Sequence, residues 1–211
     1  VLAVPECKEY NVSAKKTVLE GILNALQFLH QQHQVSHGDV KPQNVAFFAD
    51  KHRWKLIDLD SATKMGQPLS TCFTSCYAAP ELVLNVRRVK GTQEKDAALA
   101  KRIEKTAVIR TSSAQDIWAV GIMLLEVFLG HPVFYDALDA ENKLLAMTPE
   151  KLGLPFKEVA ETQCRDLLQR KLLTFNPEDR VSALSALNDA FLRGGHNTKQ
   201  QVESFGGLRN D

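Results

Sequence analysis

HGDVKPQN, residues 37–44, is the stretch whose reading decides the fold. An acid, a cation and an amide, Asp39, Lys41 and Asn44, fall on one short loop, close enough for all three to meet a single ligand. Gly38 stands beside them where a large side chain is expected.

The segments on either side say what carries this loop. Upstream, apolar residues recur at Leu19, Ile22, Leu23, Leu26 and Leu29, the stripe of an amphipathic helix. Ser13 is its expected N-cap and His33 its expected end. Downstream, VAFF (45–48) and WKLID (54–58) are short β-type runs separated by ADKHR. They predict a hairpin with Asn44 at its start and Asp58 at its end. Leu59 to Thr74 is polar, contains Gly66 and Pro68 and has no period, which predicts a surface loop without regular elements. Ala114 to Leu129 is apolar on nearly every side, as in a helix buried at the centre of a domain. Further helices are expected at Val159–Leu173 and Ser182–Phe191.

Composition bounds the rest. The chain has 211 residues, of which 44% are hydrophobic, enough for one large domain or two small ones with a real core. Its 26 basic and 25 acidic residues give a net charge of +1, so no overall field draws in nucleic acid or an anionic membrane. IWAVGIMLLEVFLG (117–130), the longest apolar run, contains Glu126 and is shorter than the ~20 residues that cross a bilayer. No membrane span is read. Cys7, Cys72, Cys76 and Cys164 follow no zinc-ligand spacing and read as free thiols of a cytoplasmic-type protein. VLAVPECKEY lacks an initiator Met and a basic region, so it resembles neither a signal peptide nor a complete start. The chain is expected to begin mid-protein.

The residue types of the loop suit phosphoryl transfer to a hydroxyl. That reaction needs a positioned nucleophile, a cation on the transferring phosphate and oxygen ligands for magnesium. Asp39 can accept or orient the hydroxyl proton, Lys41 can neutralise the phosphate, and Asn44 with Asp58 can offer hard oxygen donors.

HGDVKPQN resembles the catalytic loop of the eukaryotic protein kinases, and IDLD (57–60) their metal-binding motif. TSCYAAPEL (74–82) is similar to the family's substrate-docking segment, AQDIWAVGIMLLEVFLGHPVF (114–134) to its central helix, and NPEDRVSALSAL (176–187) to its closing helix. The likeness runs in order from about Ala14 to Phe191, and it is specific as a set. It implies a mainly α fold, the C-terminal lobe of a kinase: a helical bundle with a small β-hairpin carrying the catalytic and metal loops. That lobe is expected over 1–193, with 1–13 a hinge-like lead-in, 84–112 a charged insertion and 194–211 a flexible polar tail.

Carried over residue by residue, the resemblance makes Asp39 the catalytic base, Lys41 the phosphate contact, and Asn44 and Asp58 the magnesium ligands. Glu81 and Arg180 become a structural ion pair, and Asp116 the holder of the catalytic loop's backbone and His37. Thr74 is expected to hydrogen-bond near Asp39 and Lys41, a combination typical of the serine/threonine branch. The implied cofactors are ATP and Mg2+. The implied partners are a protein substrate and an N-terminal kinase lobe in the same natural chain, without which this chain is expected to be inactive. The alternative is a pseudokinase or structural scaffold that uses the fold to bind proteins.

Three departures from the family pattern bear on that choice. Gly38 replaces the usual Arg, which removes the grip on an activation-loop phosphate. Leu59 and Asp60 replace the phenylalanine and glycine of the metal motif. No glycine-rich phosphate loop is present in the sequence. Ser70, Thr71, Thr74 and Ser75 read as polar loop residues more than phosphosites, and Cys72 with Cys76 as structural more than redox-active. His37 is accounted for by the catalytic loop, while His30 and His33 are expected where a helix frays, so no zinc site is read. RRVKGTQEKDAALAKRIEKTA (87–107) is expected to be an exposed helical insertion, with a protein-docking surface as the alternative.

Overall fold

The computed structural model describes residues 1–68, 74–84 and 109–194. Helix α1, Val12–Gln27, turns its sequence stripe inward: Val18, Leu19, Ile22, Leu23 and Leu26 are all buried. Its cap is Asn11, whose side-chain oxygen accepts from Ala14 N at 2.8 Å, so the helix starts ahead of the expected Ser13. Past Gln27 the backbone widens into a π-turn, Phe28–Gln32, that ends at His33. Gln34, at φ 53°, turns the chain out and donates its side-chain amide to His30 O at 2.8 Å.

The hairpin forms as β2, Val45–Phe48, antiparallel to β3, Arg53–Leu56, in the register Val45↔Leu56 to Phe48↔Arg53. The second strand is shorter than predicted. Ile57 N still donates to Asn44 O at 2.8 Å, but Asp58 adopts φ 66° and leaves the ladder. A second two-stranded sheet pairs β1, Val35–Ser36, with β4, Thr63–Lys64. β4 lies in the stretch expected to hold no element, because a strand of two polar residues carries no readable period.

Helix α2, Ser113–Leu129, is the centre of the fold, with residues 115 to 127 buried throughout. At its start Ser112 N donates to Gln115 Oε1 at 2.7 Å. At its end Gly130 takes φ 74°, and the stem of Lys8 lies where a Cβ would stand. Helix α3, Ala137–Leu145, follows, capped by Asp136 accepting from Asp139 N at 2.8 Å.

The two later helices are more broken than their sequences suggest. Val159 is extended, and the Arg165 guanidinium donates to its carbonyl at 3.2 Å, so the expected 159–173 helix reduces to α4, Thr162–Leu167, plus a π-turn, Leu168–Leu172. Similarly, 182–191 splits into α5, Ala183–Leu187, and α6, Ala190–Arg193. Asp189 stands at the break, accepting from Phe191 N at 2.8 Å and Lys171 Nζ at 2.6 Å. α1, α2, β3 and α5 meet around one apolar core.

The chain is helix-rich, in keeping with the expected mainly α class. Among the described residues no helix is long and apolar enough to cross a membrane. Cys7, Cys76 and Cys164 are free, and burial pushes the Cys7 thiol up to about 11. Cys72, Ser70, Thr71, most of the 84–112 insertion and nearly all of the 194–211 tail lie outside the described residues.

Candidate active site

One buried carboxylate organises the loop. Asp116, in the first turn of α2, is 1% exposed, a position that an ionised group occupies only if its lone pairs are met by donors. Oδ2 accepts from His37 N at 2.8 Å, Ser36 Oγ at 2.9 Å and His30 Nε2 at 2.8 Å; Oδ1 accepts from Gly38 N at 2.9 Å. Two successive backbone amides of the loop are thereby tied to the centre of the molecule.

His37 extends the attachment to the hairpin. Its Nε2 lies 3.1 Å from Ile57 O and its Nδ1 accepts from Asp39 N at 3.3 Å. With a carbonyl opposite Nε2 and an amide opposite Nδ1, the ring carries its proton on Nε2. The imidazole therefore links Asp39 to the residue that precedes Asp58.

Asp39 is the meeting point of the polar side chains. Lys41 Nζ lies 2.5 Å from its Oδ2, and Thr74 Oγ1 donates to its Oδ1 at 2.6 Å. Asn44 Nδ2 donates to its backbone oxygen at 2.8 Å and to Oδ2 at 3.2 Å, and Lys41 Nζ reaches Thr74 Oγ1 at 3.2 Å. Burial pushes the Asp39 carboxyl up, but hydrogen bonds from Lys41 and Thr74, the lysine's charge and the Asn44 amide outweigh it, and the net direction is down. At neutral pH Asp39 is an ionised acceptor with its solvation replaced by fixed donors.

Asp58 stands apart from this cluster. It is exposed, and its Oδ1 accepts from Asp60 N at 3.2 Å. Leu59 beside it is 55% exposed. Among the described residues Asp58 makes no hydrogen bond to Asp39, Lys41 or Asn44. No group of three or more His, Cys, Asp or Glu gathers as for a metal among the described residues.

Arg180 uses its whole guanidinium fork away from the loop. Nη1 and Nη2 each donate at 2.8 Å to one oxygen of Glu81. The remaining N–H groups reach Ala114 O, Thr174 O and Phe175 O at 3.0 to 3.1 Å, and the guanidinium carbon lies 5.0 Å from the centre of the Trp118 ring. The 74–82 segment, α2 and the late loop are held together at this one side chain.

Some residues of the site escape a reading of the sequence. His30 does not sit at a fraying end: it is 7% exposed and fixed to Asp116 across 86 residues of sequence. It faces inward because α1 continues as a π-turn where fraying was expected. Ser36 is fully buried in a strand of two residues. Glu126, read only as a charge within an apolar run, accepts from Tyr77 Oη at 2.8 Å and Val133 N at 2.9 Å. A lone acid in the apolar run 117–130 signals an unseen partner, and that signal was available.

Comparison with known proteins gives consistent likenesses. The sequence model of the family described as protein kinase domain matches residues 6–192. The chain is 30% identical over 187 residues to the SNF-related serine/threonine-protein kinase of Homo sapiens, covering 87% of this chain and 21% of that protein. It is 30% identical over 178 residues to the serine/threonine-protein kinase ULK3 of Rattus norvegicus, covering 79% and 31%. With the probable serine/threonine-protein kinase fhkD of Dictyostelium discoideum it shares 28% over 182 residues, covering 82% and 22%. The chain thus spans about a fifth to a third of the length of these relatives.

Proposed function

The chain belongs to the protein kinase domain family, and from that premise we propose that it is the C-terminal lobe of a kinase that transfers the γ-phosphoryl group of ATP, with Mg2+, to serine or threonine hydroxyls of proteins. The observation that carries the reading is the cluster at Asp39, an ionised carboxylate held by Lys41, Thr74 and Asn44. An N-terminal lobe of the natural chain completes the nucleotide site in this proposal.

In the reaction the Asp39 carboxylate orients the substrate hydroxyl and takes its proton as the oxygen attacks phosphorus. Lys41 reaches the transferring phosphate from its place beside Asp39. Thr74 holds Oδ1 of Asp39 while Lys41 and Asn44 hold Oδ2, so both oxygens are oriented before the hydroxyl arrives, and the Lys41–Thr74 pair is the combination that resembles the serine/threonine branch. Asn44 turns its amide nitrogen to Asp39, which leaves its amide oxygen as a hard donor, and the exposed Asp58 offers a carboxylate. Such a pair, with substrate phosphates and waters, suits magnesium, which is commonly held by one or two protein carboxylates. When bound, the metal would neutralise charge on the phosphates.

A second reading, a protein-binding scaffold without transfer, is favoured by one observation. Leu59 and Asp60 stand where the family has phenylalanine and glycine, and Leu59 lies half exposed instead of packed. Transfer of radiolabelled γ-phosphate from ATP to a generic serine/threonine substrate, by the longest natural chain containing these residues, separates the two. Transfer that disappears in Asp39→Asn is the expected result. No transfer by the folded parent chain would favour the scaffold.

A further inference from the structure

Ser36 is the residue before the catalytic loop, wholly buried in β1. A hydroxyl in such a place needs a partner, and its Oγ donates to Asp116 Oδ2 at 2.9 Å. The same oxygen accepts from His37 N, and its twin from Gly38 N. Ser36 therefore bonds to the carboxylate that holds the two residues following it in the chain.

The loop needs this hold more than most. Gly38 sits at φ 78°, and a glycine there has more conformations open to it than any other residue. Ser61 O lies 2.6 Å from where a Cβ on Gly38 would stand. Gly38 also lines a pocket of about 40 Å3, together with Ser36, Asp39, Ser61, Thr111 and Asp116. Where the loop borders this pocket, its two amides are held by the Asp116 carboxylate. β1 also pairs Ser36 with Thr63, which joins the segment after Asp58 to the same anchor.

We propose that Ser36 is a positioning residue: its hydroxyl fixes the rotation of the Asp116 carboxylate, which sets the His37 and Gly38 amides and thereby the place of Asp39. His30 steadies the carboxylate from the π-turn after α1; Ser36 does so from within the loop's own strand. The inference rests on the phosphoryl-transfer reading for its catalytic consequence, and on the hydrogen bonds alone for the anchoring.

The test compares Ser36→Ala and Ser36→Thr in the longest natural chain, with ATP and a generic serine/threonine peptide. Loss of a hydrogen bond to a charged group is expected to lower kcat about tenfold in Ser36→Ala, with KM for both substrates changed by less than about twofold. Ser36→Thr restores the hydroxyl and is expected to recover kcat to within about threefold of the parent. Amide hydrogen exchange, read by mass spectrometry on a peptide covering 36–39, should quicken about tenfold in the alanine variant and return in the threonine variant. Should Ser36→Ala fail to fold, Ser36→Cys keeps the size with a much weaker donor and takes its place. A kcat and an exchange rate unchanged in Ser36→Ala overturn the proposal. So does a folded Ser36→Thr that restores neither, or a loss of activity that only tracks the unfolded fraction. If the parent chain transfers no phosphate, the phosphoryl-transfer reading falls; the exchange rates alone then decide whether Ser36 anchors the loop.

Discussion

Tyr77 and Glu126 join the 74–82 segment to the buried central helix through a hydrogen bond of 2.8 Å between the phenol and a carboxylate oxygen. Burial drives the Glu126 carboxyl up, against the Val133 amide, the Tyr77 hydroxyl and the charge of His131. The net direction is up, so the folded state holds this proton more tightly than the unfolded chain. Stability must then fall as pH rises from the ordinary glutamate value through the raised one. Glu126→Gln should flatten that part of the profile. Tyr77→Phe, which removes a donor, should extend it to higher pH and cost about 1–2 kcal/mol near neutrality. Urea unfolding at several pH values between about 4 and 8 measures both, and parallel profiles for parent and variants would count against the assignment.

Arg180→Lys is expected to destabilise by about 2–4 kcal/mol, since an ammonium cannot replace a planar fork that meets Glu81 and three backbone carbonyls. Arg170, whose side chain is 78% exposed beside Asp166, is the control: Arg170→Lys should stay within about 0.5 kcal/mol of the parent. Thermal unfolding of the two variants gives the contrast.

Lys41→Met should raise the Asp39 pKa, because the ammonium supplies both a hydrogen bond and a charge that hold it down. A depressed folded pKa contributes stability above the unfolded value and loses it as pH falls through the folded one. The acid limb of the parent's stability profile should therefore shrink in the variant. Carboxyl carbon shifts of Asp39, followed by NMR through acid titration, read the change directly; an unmoved titration would show that Lys41 does not govern it.

Much of this architecture was legible from residue patterns, and the limit of legibility has a physical cause. The stripe of α1, the alternation of the hairpin and the apolar run of α2 are local signals, and each marks an element that exists. The β1–β4 pairing is two residues wide and polar, so no period announces it. Val159 and Asp189 interrupt helices through the side chains that bind them, Arg165 and Lys171, and propensity is blind to such partners. The inward turn of His30 depends on a π-turn and on an acid far along the chain. Sequence motifs pointed to Asp39, Lys41, Asn44 and Thr74, which the fold gathers, and to Asp58, which it leaves at the rim.

Gly38→Ala is expected to destabilise by about 1–3 kcal/mol, from a strained backbone and the approach of Ser61 O. Gly66 has a similar φ of 80° with nothing within 4 Å of its missing Cβ. Gly66→Ala should therefore lose only the backbone part, about 1 kcal/mol. Equal losses in the two variants, by chemical denaturation, would mean that the Ser61 carbonyl yields freely.

The contact between Lys41 and Asp39 has a thermodynamic corollary. A lysine shared between a carboxylate and any arriving phosphate cannot serve both fully, so whatever draws the ammonium outward frees the carboxylate to bind a proton more strongly. By reciprocity, protonating Asp39 releases Lys41 and tightens its hold on the anion. Proton affinity at Asp39 and anion affinity at Lys41 thus rise together.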